Sequence, residues 1–291
     1  MADVMQTGRG VNQSAALNWI KLLAGLAATL GWVRLGQGLG ATITVENPAI
    51  ATAIYYALLF VPLIVLAALL GYLDHRPAFS VGASPGRWTV IGLAAGIAGL
   101  FVTVAFAGLN GQLVAGEAAR FAAGSILLGV ALTLLQVGAE EMLFRGWLQP
   151  ALIQRSGPLA GVVLGAAVFA AYHWVADVAH APLSLINLML GGVWFGLLAL
   201  RSGGLLAPIA AHLGWNALED YGLGLVPNPG HGDLGFLADY DLLGSPLWGG
   251  HAEGLNASIG TTAVLIALIL PLLRASGRPA VSAKTAPAPA G

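Results

Sequence analysis

The residues able to do chemistry are few, and they cluster in the second half of the chain. Gly138-Ala139-Glu140-Glu141-Met142-Leu143-Phe144-Arg145 brings two carboxylates and a guanidinium, Phe169-Ala170-Ala171-Tyr172-His173 an imidazole, and His212-Leu213-Gly214-Trp215-Asn216 an imidazole and an amide. On a helix, Glu141 and Arg145 stand four apart on one face with the acid first, the order that favours an ion pair. Glu140 is turned about 100° from Glu141 by a helix of 3.6 residues per turn, so it does not share that partner. Its carboxylate is left for other work, and a carboxylate with polar neighbours can serve as a general base. His212 and Asn216 are again four apart and present imidazole and amide side by side. His173, from another segment, can complete a pocket with Glu140. The bland alternatives are a structural clamp for Glu141 and Arg145, an interfacial carboxylate for Glu140, and hydrogen-bonded helix packing for the histidines. Two His, one Asn and one unpaired Glu in three neighbouring segments argue instead for a site. His75, His180, His231 and His251 fall in loops or at segment ends and read as solvated.

The elements that carry these groups must be membrane helices. The chain of 291 residues is 57% hydrophobic and only 9% charged, with mean hydropathy +0.82, against roughly 25% charged residues in an average soluble domain. A water-soluble globule is excluded, and a net charge of −1 leaves no basic excess for nucleic acid. There is no Cys, hence no thiolate site or disulfide. Eight apolar runs, roughly 16–38, 49–72, 88–109, 121–149, 157–176, 183–200, 203–218 and 258–274, read as spans, since about 20 residues cross a bilayer core. The seventh is short and reads as tilted or partly re-entrant. Lys and Arg stay on the cytoplasmic side. With the N-terminus inside, Arg9, Arg76, Arg87, Arg155, Arg201, Arg274, Arg278 and Lys284 fall inside, only Arg34 and Arg120 lie toward the outside, and Glu46, Glu117, Asp177, Glu219, Asp220, Asp233, Asp239, Asp241 and Glu253 are outside. Residues 1–274 are thus expected to form a single membrane-embedded helical domain with an external loop at 219–257, followed by a disordered Ala/Pro/Ser tail at 275–291. Trp88, Trp174 and Trp248 fit interfacial belts.

The three segments follow the order E-E-x-x-x-R, F-x-x-x-H and H-x-x-x-N, each within an expected span. In this the sequence resembles the CPBP (Abi) family of intramembrane proteases, the group containing the CAAX-processing Ras-converting endopeptidase and bacterial bacteriocin-processing or self-immunity proteins. The resemblance covers residues 140–216, and the rest of the chain is matched only in hydropathy. It implies an all-α polytopic protein with a conical active-site bundle formed by the fourth, fifth and seventh spans. It also implies an endopeptidase that cleaves a membrane-associated peptide or protein within the bilayer, as a CAAX prenyl protease does. Carried over residue by residue, Glu140 and His173 activate water, His212 and Asn216 stabilise the tetrahedral oxyanion, and Glu141 with Arg145 orients the fourth helix. The compact loops look bacterial, so a bacterial plasma membrane with both termini cytoplasmic is the expected location.

The family is often labelled metalloprotease, and zinc would take three protein ligands and an open position. The set at hand would be Glu140, His173 and His212. No H-E-x-x-H pair places two imidazoles on one helix, and ligation would consume the one well-placed base. The residue pattern therefore favours a metal-free glutamate mechanism over zinc. Two other classes fit the intramembrane polar set: a proton-coupled transporter relaying through Glu140, His173 and His212, and a non-catalytic membrane scaffold.

Overall fold

Inside a bilayer the backbone must satisfy its own hydrogen bonds, and long uncharged runs do so as helices. The protein is accordingly an all-α, multi-pass membrane protein. The structure is a computed structural model that describes residues 2–116, 122–225, 234–249 and 253–274, with side chains from Trp19 onward. Glu117, Arg120, His231, Asp233, His251, Arg278, Lys284 and the tail 275–291 lie outside the described residues. The helices are α1 (Ala2–Gly40), α2 (Pro48–Leu73), α3 (Pro85–Leu109), α4 (Ala123–Glu141), α5 (Gln149–Ser156), α6 (Pro158–Val175), α7 (Pro182–Ser202), α8 (Leu206–Ala217) and α9 (Ile259–Arg274). Among the described residues, α2, α3, the continuous rod Ala123–Ser156, α6 and α7 are long and apolar enough to cross a membrane.

Three details depart from the sequence expectations. The fourth span does not end near 149: α4 runs through a π-helical stretch, Met142–Leu148, straight into α5. The external loop does not begin at 219, because α8 continues as a second π stretch, Leu218–Gly222, with Glu219, Asp220 and Tyr221 buried. A two-stranded antiparallel ladder joins β1 (Leu113–Ala115) to β2 (Tyr240–Leu242), pairing Val114 with Asp241. The segment after α8 is thereby tied to the α3–α4 connection.

Small residues and a few buried polar groups hold the rods together. A Cβ at Gly92 would lie 2.2 Å from the Ala207 carbonyl oxygen, and one at Gly96 2.2 Å from that of Ala211. The backbones of α3 and α8 therefore meet directly, the small-residue mode of membrane helix packing. Helices α7 and α9 run parallel. Asn187 Nδ2 donates to the carbonyls of Asn256 (2.7 Å) and Ser258 (2.9 Å), while Arg201 Nε donates to Leu272 at the other end (2.9 Å). Asn187 is 1% exposed, and a lone Asn in an apolar span carries no spacing signal in the sequence.

The bundle has two chemically different ends. The α2–α3 connection packs on the α7–α8 turn through Leu205 N–H to Ser80 (2.8 Å) and Ala83 N–H to Ser202 (3.0 Å). This end carries Arg76, Arg155, Arg201 and Arg274, at the ends of α2, α5, α7 and α9. At the opposite end Gln37 Nε2 donates to Ala176 (2.6 Å), and the Glu253 carboxylate accepts the backbone N–H groups of His180 (2.9 Å) and Ala181 (3.0 Å). The core falls into two clusters. One contains Ala139, Phe144, Phe169 and Tyr172, the other Phe195, Ala211 and Trp215, and the candidate site sits on their seam.

Candidate active site

Glu141 is fully buried, and its Oε1 accepts two hydrogen bonds, from Arg145 Nη1 (2.8 Å) and from His212 Nδ1 (3.0 Å). The expected ion pair is present, but it does not account for Glu141 completely. The same oxygen fixes an imidazole on α8 and so ties α4 to α8. The spacing within one helix could not show this, since the second partner is 71 residues away. Arg145 completes the junction. Its Nη2 donates to the Gly192 carbonyl (3.3 Å), and its guanidinium lies 4.4 Å from the Phe169 ring centroid and 5.2 Å from that of Phe195. Gln149, one turn on, donates to the Gly196 carbonyl (3.0 Å). Two side chains four apart thus grip two glycine carbonyls four apart on α7, where no side chain shields the oxygens.

Glu140 behaves differently. It is 2% exposed. Its Oε1 accepts from Gln136 Nε2 (3.3 Å), and Tyr56 Oη donates to Gln136 Oε1 (3.4 Å). Its Oε2 is buried without a hydrogen-bond partner. The carboxylate is not shared with Arg145, as the helix geometry requires, but one of its oxygens is oriented from α2 through Gln136. Gln136 was legible in principle, one turn before Glu140 on the same face, whereas Tyr56 belongs to a helix whose packing the sequence does not reveal.

The two imidazoles are held alike. A carbonyl oxygen only accepts, so His173 Nδ1 carries the proton it gives to Phe169 O (2.9 Å). His212 Nδ1 donates to the Glu141 carboxylate. In both rings Nε2 is the nitrogen left over. Phe169 supplies the carbonyl for His173 and packs its ring 4.4 Å from the His173 ring and 6.4 Å from the His212 ring, and Phe195 stacks on His212 at 4.6 Å and 20°. A phenylalanine one turn before His173 therefore packs against both imidazoles and the Arg145 guanidinium at once.

Glu140, His173, His212 and Asn216 all line one cavity of about 580 Å³. The structure brings the four candidate residues of α4, α6 and α8 to a common space and leaves Glu141 and Arg145 behind its wall. Helices beyond the three motif-bearing ones also contribute, Tyr55 and Tyr56 from α2, Trp194 and Phe195 from α7, and Thr261 and Leu265 from α9. The cavity reaches the end of the bundle that bears exposed Asp177. Among the described residues no three His, Asp or Glu side chains converge closely enough to hold a metal ion. The donor set Glu140, His173 and His212 does not fit zinc in this arrangement.

Residues 122–218 match the Rce1-like family, described as type II CAAX prenyl endopeptidases. The stretch covers every motif residue from Glu140 to Asn216 and bears out the resemblance drawn from the motifs. It is a third of the chain, the third that contains the site. No curated protein and no solved structure matches the chain. The Rce1-like match supports an intramembrane endopeptidase of the CAAX type, and with it a membrane-associated protein as substrate.

Proposed function

We propose that the protein cleaves a peptide bond of a membrane-associated substrate with a water activated by Glu140 and His173. The observation that carries this is a buried carboxylate, one oxygen oriented by Gln136 and the other unpartnered, sharing a cavity with two imidazoles whose Nδ1 atoms are already committed. Glu140 takes a proton from water as its oxygen attacks the scissile carbonyl carbon, with His173 Nε2 accepting the water's other hydrogen bond. The oxyanion that forms meets Asn216 Nδ2 and His212 Nε2, and preorganised donors aimed at developing charge supply a large share of such catalysis. His212 donates there through Nε2 when the ring carries both protons, with Nδ1–H held from behind by Glu141. Collapse of the tetrahedral species breaks the C–N bond, and the proton on Glu140 passes to the departing amine. Positive charge retained on the cytoplasmic side would put the arginine-bearing end inside and both termini in the cytoplasm.

The test is cleavage of an acylated reporter peptide by the purified protein in liposomes. The Glu140→Gln variant should lose about 10²–10⁴-fold in kcat, the usual contribution of a positioned general base, while melting like the wild type. Equal turnover by Glu140→Gln would remove Glu140 from the chemistry.

A further inference from the structure

One buried acid in the cavity has no place in the hydrolytic cycle. Glu219, on the π-helical continuation of α8, lies one turn beyond Asn216, is 3% exposed and lines the same cavity, and its Oε1 is buried without a hydrogen-bond partner. The Trp215 side chain gives the carboxyl a hydrogen bond, but a buried carboxyl without a counter-charge is costly, because its desolvation is only partly offset.

Apart from the two imidazoles, the charged side chains around it are all acids. Among the described residues, the side chains lining the cavity include four carboxyl groups, Glu140, Asp177, Glu219 and Glu253, and no Lys or Arg. Asp177 and Glu253 belong to the mouth and are engaged there. Asp177 pairs with His180 (3.1 Å), both well exposed, and Glu253 accepts the N–H groups at the start of α7. Arg145, the buried cation nearest the site, is turned to Glu141 and α7 behind the wall. A substrate segment entering past Asp177 thus meets acids at the mouth and an unsatisfied acid inside.

We infer that the site selects a cationic segment: the residue seated beside Glu219 carries an ammonium or guanidinium, and Glu219 is the specificity-determining group that receives it. This rests on the proteolytic reading above and deepens it. A Lys or Arg brings the counter-charge that Glu219 lacks and a donor for its unpartnered Oε1, and the aromatic walls, Tyr55, Tyr56 and Trp215, accommodate the aliphatic stem of either side chain. An acidic side chain seated there faces like charge in a space sheltered from water.

The experiment uses the full-length protein in liposomes with a library of N-acylated peptides randomised over several positions, products being sequenced by mass spectrometry. Lys and Arg should be enriched about tenfold over Glu and Asp at one position near the cleaved bond. Re-synthesised Lys and norleucine versions of the best peptide should differ in KM far more than in kcat. In Glu219→Gln the Lys-to-norleucine ratio should fall about tenfold, and Glu219→Asp should restore part of it, which a merely structural role would not do. The exposed variant Asp177→Asn should weaken only the salt dependence of the cationic peptide's KM. Cleavage without cationic enrichment, or a Lys preference unchanged in folded Glu219→Gln, overturns the charge selection and leaves the protease reading standing. Failure to cleave any library member overturns both.

Discussion

At the scale of single residues, adjacent glutamates with the same chemistry have opposite duties. Each has one buried oxygen without a partner, but Glu140 lines the cavity and holds only Gln136, whereas Glu141 stands behind the wall and spends its other oxygen on Arg145 and His212. Glu141→Gln should therefore damage two things at once. It leaves a buried guanidinium without its carboxylate, for which about 3–5 kcal/mol is typical, and it removes the charge behind His212. The expected result is a large fall in thermal stability together with a drop in kcat at little-changed KM, measured by unfolding in detergent and by reporter cleavage. A variant that melts like the wild type would show that the Glu141–Arg145–His212 junction does not hold the bundle. The ion pair was legible in the sequence because both partners sit on one helix. Its third member was not, since an i,i+4 rule says nothing about contacts between helices.

At the scale of elements, the positions of His212 and Asn216 depend on α3, which contributes no catalytic group. Gly92 and Gly96 let α8 approach to backbone contact, and the neighbour at Gly96 is Ala211, the residue before His212. Gly96→Val should cost about 1–3 kcal/mol, as overpacking does, and should lower activity more than stability by displacing α8. Gly38→Ala, on a face with no atom within 4 Å, is the matched control and should melt unchanged. The π stretch Met142–Leu148 is the second device. π-bulges inside α-helices recur at functional sites, and here one separates Glu140 from the Gln149 anchor on α7. Inserting one alanine within it should rotate the acid pair by about 100° relative to Gln149, giving a folded but inactive protein by circular dichroism and reporter assay. The spans themselves were readable from the sequence because their length and apolarity are set by the bilayer. The π turns were not, because Met-Leu-Phe-Arg-Gly-Trp-Leu has no composition that distinguishes π from α.

At the scale of the whole molecule, the segregation of Arg76, Arg155, Arg201 and Arg274 from Asp177 and Glu253 sets the orientation to be tested. The chain has no Cys, so single cysteines report without background. A membrane-impermeant maleimide on intact cells should label Gly235→Cys and spare Ser80→Cys, and the reverse pattern would invert the protein. The helices also differ in reach. At 1.5 Å per residue, α2 with 26 residues and α3 with 25 extend about 39 and 38 Å, whereas α6 with 18 extends only about 27 Å. Helix α6, which bears His173 and exposes Leu159, Val163, Leu164 and Trp174 along its outer face, is thus shorter than the roughly 30 Å hydrocarbon core around it. Lipid along that side must thin to match, at a cost of fractions of a kcal/mol per Å, which draws the polar headgroup region toward the imidazoles. Turnover should therefore rise in liposomes of short-chain lipids and fall as the acyl chains lengthen: for this protein, membrane thickness acts as a setting of the enzyme.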